Sequence, residues 1–215
     1  MSSRDQHVIL ITGGSSGLGK AVAMEFARLG MRVVIAARDV DRLERTAVEI
    51  RSQGHDAMAV PTDITDSLQV ERLFDQVRST WGRLDILANV AGKSMRGRLE
   101  HVTPEQHFEL WNLNFLATVR CTLAALPFLR SSRGSIINVG SLASRIAPPY
   151  LGAYPASKFP VAAFSQQLRL ELGDEVHVLL VCPGPIARDD SAPRYSESAS
   201  DLPDAAHRPA GGARL

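Results

Sequence analysis

The chain has 215 residues, of which 45% are hydrophobic and 22% charged, and its formal net charge is +1. This composition is ordinary for one globular domain, and the small, evenly spread charge gives no indication that nucleic acid is a partner. The two cysteines, Cys121 and Cys182, form no CxxC pair, which argues against a disulfide scaffold.

The N-terminus reaches its first apolar run within seven residues and lacks the long apolar segment of a signal peptide. No later apolar run approaches the length that spans a bilayer. The six histidines are not spaced as metal ligands, so we predict no metal site. We therefore expect a cytoplasmic protein without a membrane span.

Six short apolar runs, most of them β-branched, alternate with longer stretches of helical spacing. The predicted strands are Val8–Ile11, Arg32–Ala37, Ala57–Val60, Asp85–Asn89, Ser135–Val139 and Val176–Val181. The predicted helices are Leu18–Leu29, Val40–Gln53, Ser67–Trp81, Pro104–Arg130 and Ala153–Leu172. Nearly continuous apolar strands are typical of a parallel sheet covered on both faces, so the alternation predicts a doubly wound α/β domain.

The domain is predicted to cover residues 1–186, and ligands are expected at the carboxyl ends of its strands. Residues 187–215 are rich in Ser, Pro, Ala, Asp and Arg and contain no convincing strand or long helix. We expect this C-terminal segment to be a flexible substrate flap or disordered.

A glycine-rich turn, TGGSSGLG, joins the first strand to the first helix at residues 12–19. Gly13, Gly17 and Gly19 would let the chain turn tightly and approach a pyrophosphate, which the N–H groups at the helix start would bind. The alternative is a tight strand–helix turn that uses glycines for its conformation alone, so this motif by itself does not establish a dinucleotide site.

The spacing TGxxxGxG resembles the classical short-chain dehydrogenase/reductase family, and further matches follow in the family's order up to about residue 186. These are Asp63 after the third strand, Asn89-Val90-Ala91-Gly92 in place of the family's NNAG, Asn114, Ser141, the YxxxK pair Tyr154 and Lys158, and Pro183-Gly184. The resemblance implies a Rossmann-type fold and a nicotinamide dinucleotide. It also implies these cofactor-binding residues: Gly13, Ser15, Ser16, Gly17, Leu18, Gly19, Arg38, Asp63, Ile64, Asn89, Ala91, Gly92, Tyr154, Lys158, Pro183, Gly184 and Ile186.

The end of the second strand bears on the choice of dinucleotide. NAD-preferring members of the family commonly have Asp at the position of Ala37, where it repels a 2′-phosphate. Here Arg38 offers a permanent charge and a fork of donors for that phosphate. The alternative is a solvated surface arginine that Asp39 neutralises. We predict NADP(H) in preference to NAD(H).

Hydride transfer between nicotinamide and a carbonyl leaves an alkoxide that needs a proton. A tyrosine can supply that proton if a nearby ammonium favours its phenolate, and Lys158 follows Tyr154 by one helical turn. By resemblance, Tyr154 is the acid and base, Lys158 tunes it, Ser141 polarises the substrate oxygen and Asn114 holds a water of the proton relay. The alternatives are a satisfied polar helix residue for Asn114 and a strand-end turn residue for Ser141.

The same stretch, GAYPASKFP, contains two prolines. If the helix starts near Ala153, Pro155 lies in the first turn, where backbone N–H groups have no helical partner. Pro160 would remove the hydrogen bond to the carbonyl of Ala156, so we expect the helix to bend there or to leave that oxygen free.

The residues together predict an NADP-dependent oxidoreductase that acts on a carbonyl or secondary alcohol. The alternative is a dinucleotide-binding protein without turnover. The apolar segment 142–150 suggests a lipophilic small-molecule substrate. By resemblance we expect a homodimer or homotetramer, paired through the two longest helices. Family members also have a seventh strand, and none is recognisable after Val181.

Overall fold

The structure, a computed structural model, describes residues 7–186 and 202–203. Within them six parallel strands form one sheet, in the order β3-β2-β1-β4-β5-β6. The strands are β1 (Val8–Thr12), β2 (Arg32–Ala37), β3 (Ala57–Pro61), β4 (Ile86–Asn89), β5 (Ser135–Val139) and β6 (His177–Val181). The strand order reverses between β1 and β4, the point at which open α/β sheets bind ligands.

Helices connect the strands, and their bounds lie within one or two residues of the predicted ones. They are α1 (Gly17–Arg28), α2 (Val40–Ser52), α3 (Ser67–Trp81), α4 (Pro104–Trp111), α5 (Ala117–Ser132) and α6 (Tyr154–Leu172). The predicted long helix is interrupted, because a π-helical turn at Asn112–Leu116 separates α4 from α5. Short 3₁₀ turns lie at Leu99–His101 and Leu142–Ser144.

Side-chain oxygens determine where several of these helices begin. The carboxylates of Asp39 and Asp66 accept backbone N–H groups at the starts of α2 and α3. Thr103 caps α4 in a capping box with Gln106, and Pro104 is the first residue of the helix.

Both faces of the sheet are buried, as the apolar strands predict. On β1, Ile9 and Ile11 pack towards α1 and α2, whereas Val8 and Leu10 pack into the core beneath α3, α5 and α6. All four side chains have no exposed surface. The doubly wound architecture is therefore confirmed.

β6 forms one edge of the sheet, and its side chains differ in exposure along the strand. Val178 is buried, whereas Leu179 is 43% exposed and Val181 is 39% exposed. In the described part of the chain no strand lies outside β6, which agrees with the expectation of a six-stranded sheet. The predicted flap at 187–215 lies outside the described residues except for positions 202 and 203.

By length and composition alone, the helical stretch Pro104–Ser132 could cross a membrane, which the sequence did not lead us to expect. It is the single such stretch among residues 7–186 and 202–203, and 44% of its apolar window is buried inside the fold. Core helices pass the same test, so this is weak support for a span.

Candidate active site

The glycine-rich turn lies at the switch point, pressed against the loop that follows β4. The Oγ1 of Thr12 accepts the backbone N–H groups of Val90 and Ala91, at 3.1 and 3.2 Å. Gly13 has a φ of +74°, and a Cβ there would lie 2.9 Å from the Cα of Ala91. The turn therefore requires glycine at this position, both for its conformation and for the close approach of two backbones.

Helix α1 starts immediately after this turn and directs its first N–H groups into a groove. The N-cap Ser16 makes no side-chain bond to its own helix, so its hydroxyl is available to a ligand together with the helix N-terminus. The groove brings together most of the predicted cofactor residues: Gly13, Ser15, Ser16, Leu18, Gly19, Arg38, Asp63, Ile64, Ala91 and Gly92.

Arg38 lies on the groove wall and is exposed. Its neighbour Asp39 is engaged elsewhere, because its carboxylate accepts the backbone N–H of Arg42 at 3.0 Å and pairs with the Nε of Arg42 at 3.3 Å. This contact argues against neutralisation of Arg38 by Asp39. A guanidinium at the groove wall remains as an anion-binding group.

Asp63 lines the same groove and is half-buried, and one oxygen of its carboxylate is hydrogen-bonded within the protein. Its Oδ1 accepts the backbone N–H and the hydroxyl of Thr65, at 2.9 and 2.7 Å. The backbone N–H of Asp63 donates to Gln69. Asp63 therefore lines the groove with one of its two carboxylate oxygens bonded to Thr65.

Asn89 is a predicted cofactor residue that the structure places inside the fold. It is 4% exposed, and its Nδ2 donates to the Oγ1 of Thr122 and the Oδ1 of Asn138. Asn138 in turn donates to the hydroxyl of Ser165 on α6. This buried chain of hydrogen bonds connects α5, the sheet and α6. The Oδ1 of Asn89 is buried without a hydrogen-bond partner among the described residues, and the cofactor role of Asn89 stays a prediction.

The predicted catalytic residues come from three elements that lie at the carboxyl ends of the strands. Ser141 lies two residues beyond the end of β5, and its Oγ accepts the backbone N–H of Ala143 at 3.1 Å. Tyr154 is the first residue of α6, with Pro155 in the first turn, as predicted. The helix continues through Pro160 to Leu172. The bend at Pro160 stays a prediction.

Lys158 is one helical turn beyond Tyr154 and is only 4% exposed. Its Nζ donates to the carbonyl of Val139 at the end of β5, at 2.9 Å. Burial lowers the pKa of the Lys158 ammonium to about 8. Lys158 is therefore mostly protonated at neutral pH and close to losing its charge.

Asn114 lies in the π-helical turn and is completely buried. Its Oδ1 accepts the backbone N–H of Lys93 at 2.8 Å, and its Nδ2 donates to the carbonyl of Lys93 at 2.9 Å and to the hydroxyl of Ser157 at 2.8 Å. Every hydrogen of the amide has a protein partner. The side chain thus joins the loop after β4 to α6, and its predicted role in a water relay stays a prediction.

The cofactor groove and the catalytic residues meet at Gly92. A Cβ at this position would lie 3.0 Å from the Oδ1 of Asn114 and 3.4 Å from the Nζ of Lys158. Gly92 also lines the groove that begins at the glycine-rich turn. Residues far apart in the sequence therefore form one continuous site.

The segment Pro183-Gly184 contacts Leu142, the residue after Ser141. The carbonyl of Pro183 accepts the backbone N–H of Leu142 at 3.0 Å. A Cβ at Gly184 would lie 3.5 Å from the Cδ1 of Leu142. The chain after β6 thus packs against the residue that follows Ser141, and the cofactor contact of Ile186 stays a prediction.

Sequence reasoning missed three features of the site. Thr12 holds the two cofactor loops together, the backbone of Lys93 is the partner of Asn114, and Ser157 connects Asn114 to α6. Thr12 and Ser157 are both polar and nearly inaccessible, at 1% exposure each. Their positions inside otherwise matched motifs gave a signal, but the partners come from the fold.

Comparisons with known proteins agree with this geometry. The family model described as short chain dehydrogenase matches residues 7–198. A curated relative, 11-beta-hydroxysteroid dehydrogenase 1A of Arabidopsis thaliana, is 35% identical over 199 residues, which are 91% of this chain and 56% of the relative. The chain thus spans little more than half of that relative's length.

Two solved structures extend the comparison to dinucleotide complexes. An actinorhodin polyketide ketoreductase with NADPH is 29% identical with a TM-score of 0.88, covering 95% of this chain and 79% of its own. A short chain dehydrogenase/reductase from Burkholderia phymatum in complex with NAD is 29% identical with a TM-score of 0.83, covering 98% of this chain and 75% of its own.

Proposed function

Because the chain belongs to the short chain dehydrogenase family, we propose that it is an NADP(H)-dependent oxidoreductase acting on a carbonyl or secondary alcohol. Tyr154 serves as its general acid and base. The observation that supports this most strongly is the convergence at Gly92, where the cofactor groove reaches both Asn114 and Lys158.

The groove fits a dinucleotide. The close approach at Gly13 leaves no room for a Cβ, and the first turn of α1 presents N–H groups to a phosphate. When bound, the nicotinamide would supply or accept the hydride at its C4 position. Ser16 and Arg38 would hold the phosphates, and Asp63 the adenine end.

Arg38 supports the preference for NADP(H). The carboxylate of Asp39 contacts Arg42, so the guanidinium of Arg38 has its fork of donors available for a 2′-phosphate. Ala37 places no carboxylate at the strand end to oppose that phosphate. Known structures of similar fold hold either NADPH or NAD, so the preference rests on these side chains.

Proton transfer is assigned to Tyr154, with Lys158 and Ser141 assisting. A protonated Lys158 favours the phenolate of Tyr154, and the carbonyl of Val139 holds the ammonium in place. Ser141 accepts a bond from Ala143, which leaves its own O–H to donate to the substrate oxygen.

The substrate is proposed to be lipophilic. Leu142 directly follows Ser141 and is 49% exposed, and Ile146 is 59% exposed. An apolar surface beside the reacting oxygen suits a hydrophobic carbonyl compound. The relative named as a hydroxysteroid dehydrogenase is consistent with this class of substrate.

We also propose that the protein is a cytoplasmic homodimer or homotetramer, paired through α5 and α6 and the segment before α5. Exposed apolar side chains on these helices support an interface: Phe108, Leu123 and Phe159. Light scattering that detects only monomers would reject this assembly.

The proposed reaction is tested by following the absorbance of NADPH with a panel of ketones and aldehydes. We expect turnover with lipophilic carbonyl compounds and none from the variant Tyr154→Phe, which should still bind NADPH. Binding of NADPH by the wild-type protein with no turnover of any compound would favour the alternative, a catalytically silent dinucleotide-binding protein.

A further inference from the structure

Ser157 lies between the two residues of the Tyr–Lys pair and is almost completely buried, at 1% exposure. Its hydroxyl donates to the carbonyl of Tyr154 at 2.7 Å and accepts the Nδ2 of Asn114 at 2.8 Å. Lys158 is the next residue along the helix. One hydroxyl therefore contacts two of the predicted catalytic residues and adjoins a third.

The contacts of Ser157 leave it no role in moving a proton to the substrate. A serine hydroxyl has one hydrogen, and that hydrogen is directed to the backbone carbonyl of Tyr154. Both Nδ2 hydrogens of Asn114 also have acceptors, since the second one is donated to the carbonyl of Lys93. The hydroxyl of Ser157 therefore fixes positions and does not itself pass a proton to the substrate.

We propose that Ser157 is a positioning residue, whose hydroxyl fixes the start of α6 to Asn114 and so holds Tyr154 at the site. This proposal rests on the function assigned to Tyr154 above. Without the hydroxyl, the Nδ2 of Asn114 would have a buried hydrogen without an acceptor. Tyr154 would lose one of the contacts that set its place relative to Gly92 and Lys158, and small displacements of reacting groups are costly to rate.

Ser165, two turns further along the same helix, provides a matched control. It is also completely buried, its hydroxyl donates to the carbonyl of Val161 at 2.7 Å, and it accepts the Nδ2 of Asn138 at 2.9 Å. Both serines therefore make the same pair of bonds, one to a helix carbonyl and one to an asparagine. The difference between them is that Ser157 contacts the catalytic residues.

The test compares wild-type protein with Ser157→Ala, Ser157→Thr and Ser165→Ala. We expect the two alanine variants to lose similar amounts of stability in urea denaturation. Ser157→Ala should lower kcat about tenfold and shift the pH profile of kcat, with the KM for NADPH unchanged within about twofold. Ser165→Ala should keep kcat within about twofold, and Ser157→Thr, which restores a hydroxyl, should recover most of it.

A second readout does not depend on turnover. The phenolate absorbance of Tyr154 can be titrated in the cofactor-free protein, with the matching Tyr154→Phe variant as the reference. We expect Ser157→Ala to shift this titration and Ser165→Ala to leave it in place. If wild-type protein reduces no carbonyl, the proposed function fails, and the titration still decides the role of Ser157.

Two results would overturn the proposal. One is a Ser157→Ala protein with wild-type kcat, pH profile and Tyr154 titration. The other is a Ser165→Ala protein that shows the same changes as Ser157→Ala, since this would mean that any buried serine of α6 acts through stability alone. If Ser157→Ala does not fold, Ser157→Cys, which has a weaker donor of similar size, takes its place with the same expectations.

Discussion

Replacing Lys158 by methionine should make the protein more stable at neutral pH while removing its activity. Burial lowers the pKa of Lys158 from 10.5 to about 8, which costs about 3 kcal/mol of folding free energy while the ammonium is charged. The hydrogen bond to the carbonyl of Val139 returns about 1.5–3 kcal/mol. We therefore expect Lys158→Met to gain about 1 kcal/mol at pH 7.

The sign of the pH dependence follows from the lowered pKa. Between about pH 8 and about pH 10.5 the unfolded chain keeps the proton of Lys158 and the folded chain has released it, so wild-type stability rises with pH. From pH 7 to about pH 9.5 this rise amounts to about 2 kcal/mol. The methionine variant has no such rise, so the order of stability should reverse across this range.

Urea denaturation at both pH values, followed by the fluorescence of Trp81 and Trp111, measures this difference. Lys20→Met serves as the control, because Lys20 is 39% exposed and pairs with Glu49 on the surface. Its effect should stay within about 0.5 kcal/mol at either pH. A stability difference between Lys158→Met and wild type that is the same at both pH values would refute the reasoning, because the buried charge would then not be its source.

Three further predictions concern the site. Tyr154→Phe should lower kcat at least about a hundredfold in the NADPH assay, with NADPH affinity within about twofold, because only the proton donor is removed. Exchanging Arg38 for alanine should lower kcat/KM for NADPH about tenfold or more and leave that for NADH nearly unchanged, whereas Ala37→Asp should reverse the preference; equal losses with both cofactors would contradict the assignment. Gly13→Ala should abolish dinucleotide binding measured by fluorescence titration, since its Cβ would lie 2.9 Å from Ala91; binding at wild-type affinity would show that the turn can move.

The strands and most helix ends could be predicted from the sequence because their signals are local. Nearly continuous apolar runs predicted all six strands to within one residue, and the start of α4 at Pro104 was also predicted. The π-helical turn at Asn112–Leu116 could not be predicted, since its residues fit the same helical spacing as their neighbours. The partners of Asn114 were equally out of reach, because Lys93 and Ser157 lie 21 and 43 residues away in sequence.

The sequence nevertheless indicates that Asn114 is unusual, because this polar residue lies at a position where the helical spacing predicts an apolar one. Leu110, Asn114, Ala117 and Cys121 are spaced by four, three and four residues, so the asparagine occupies a place on an apolar stripe. A buried amide there costs free energy unless every polar atom has a partner, and a leucine would cost nothing of the kind. The wider turn around Asn114 and its bonds to Lys93 meet that condition. Lys158 is a stronger case of a polar residue that costs stability. Its buried charge lowers the free energy of unfolding at neutral pH, where the proposed role beside Tyr154 requires the ammonium. A polar residue kept where an apolar one would be more stable is therefore the physical reason to assign this edge of the sheet to function, independently of any motif.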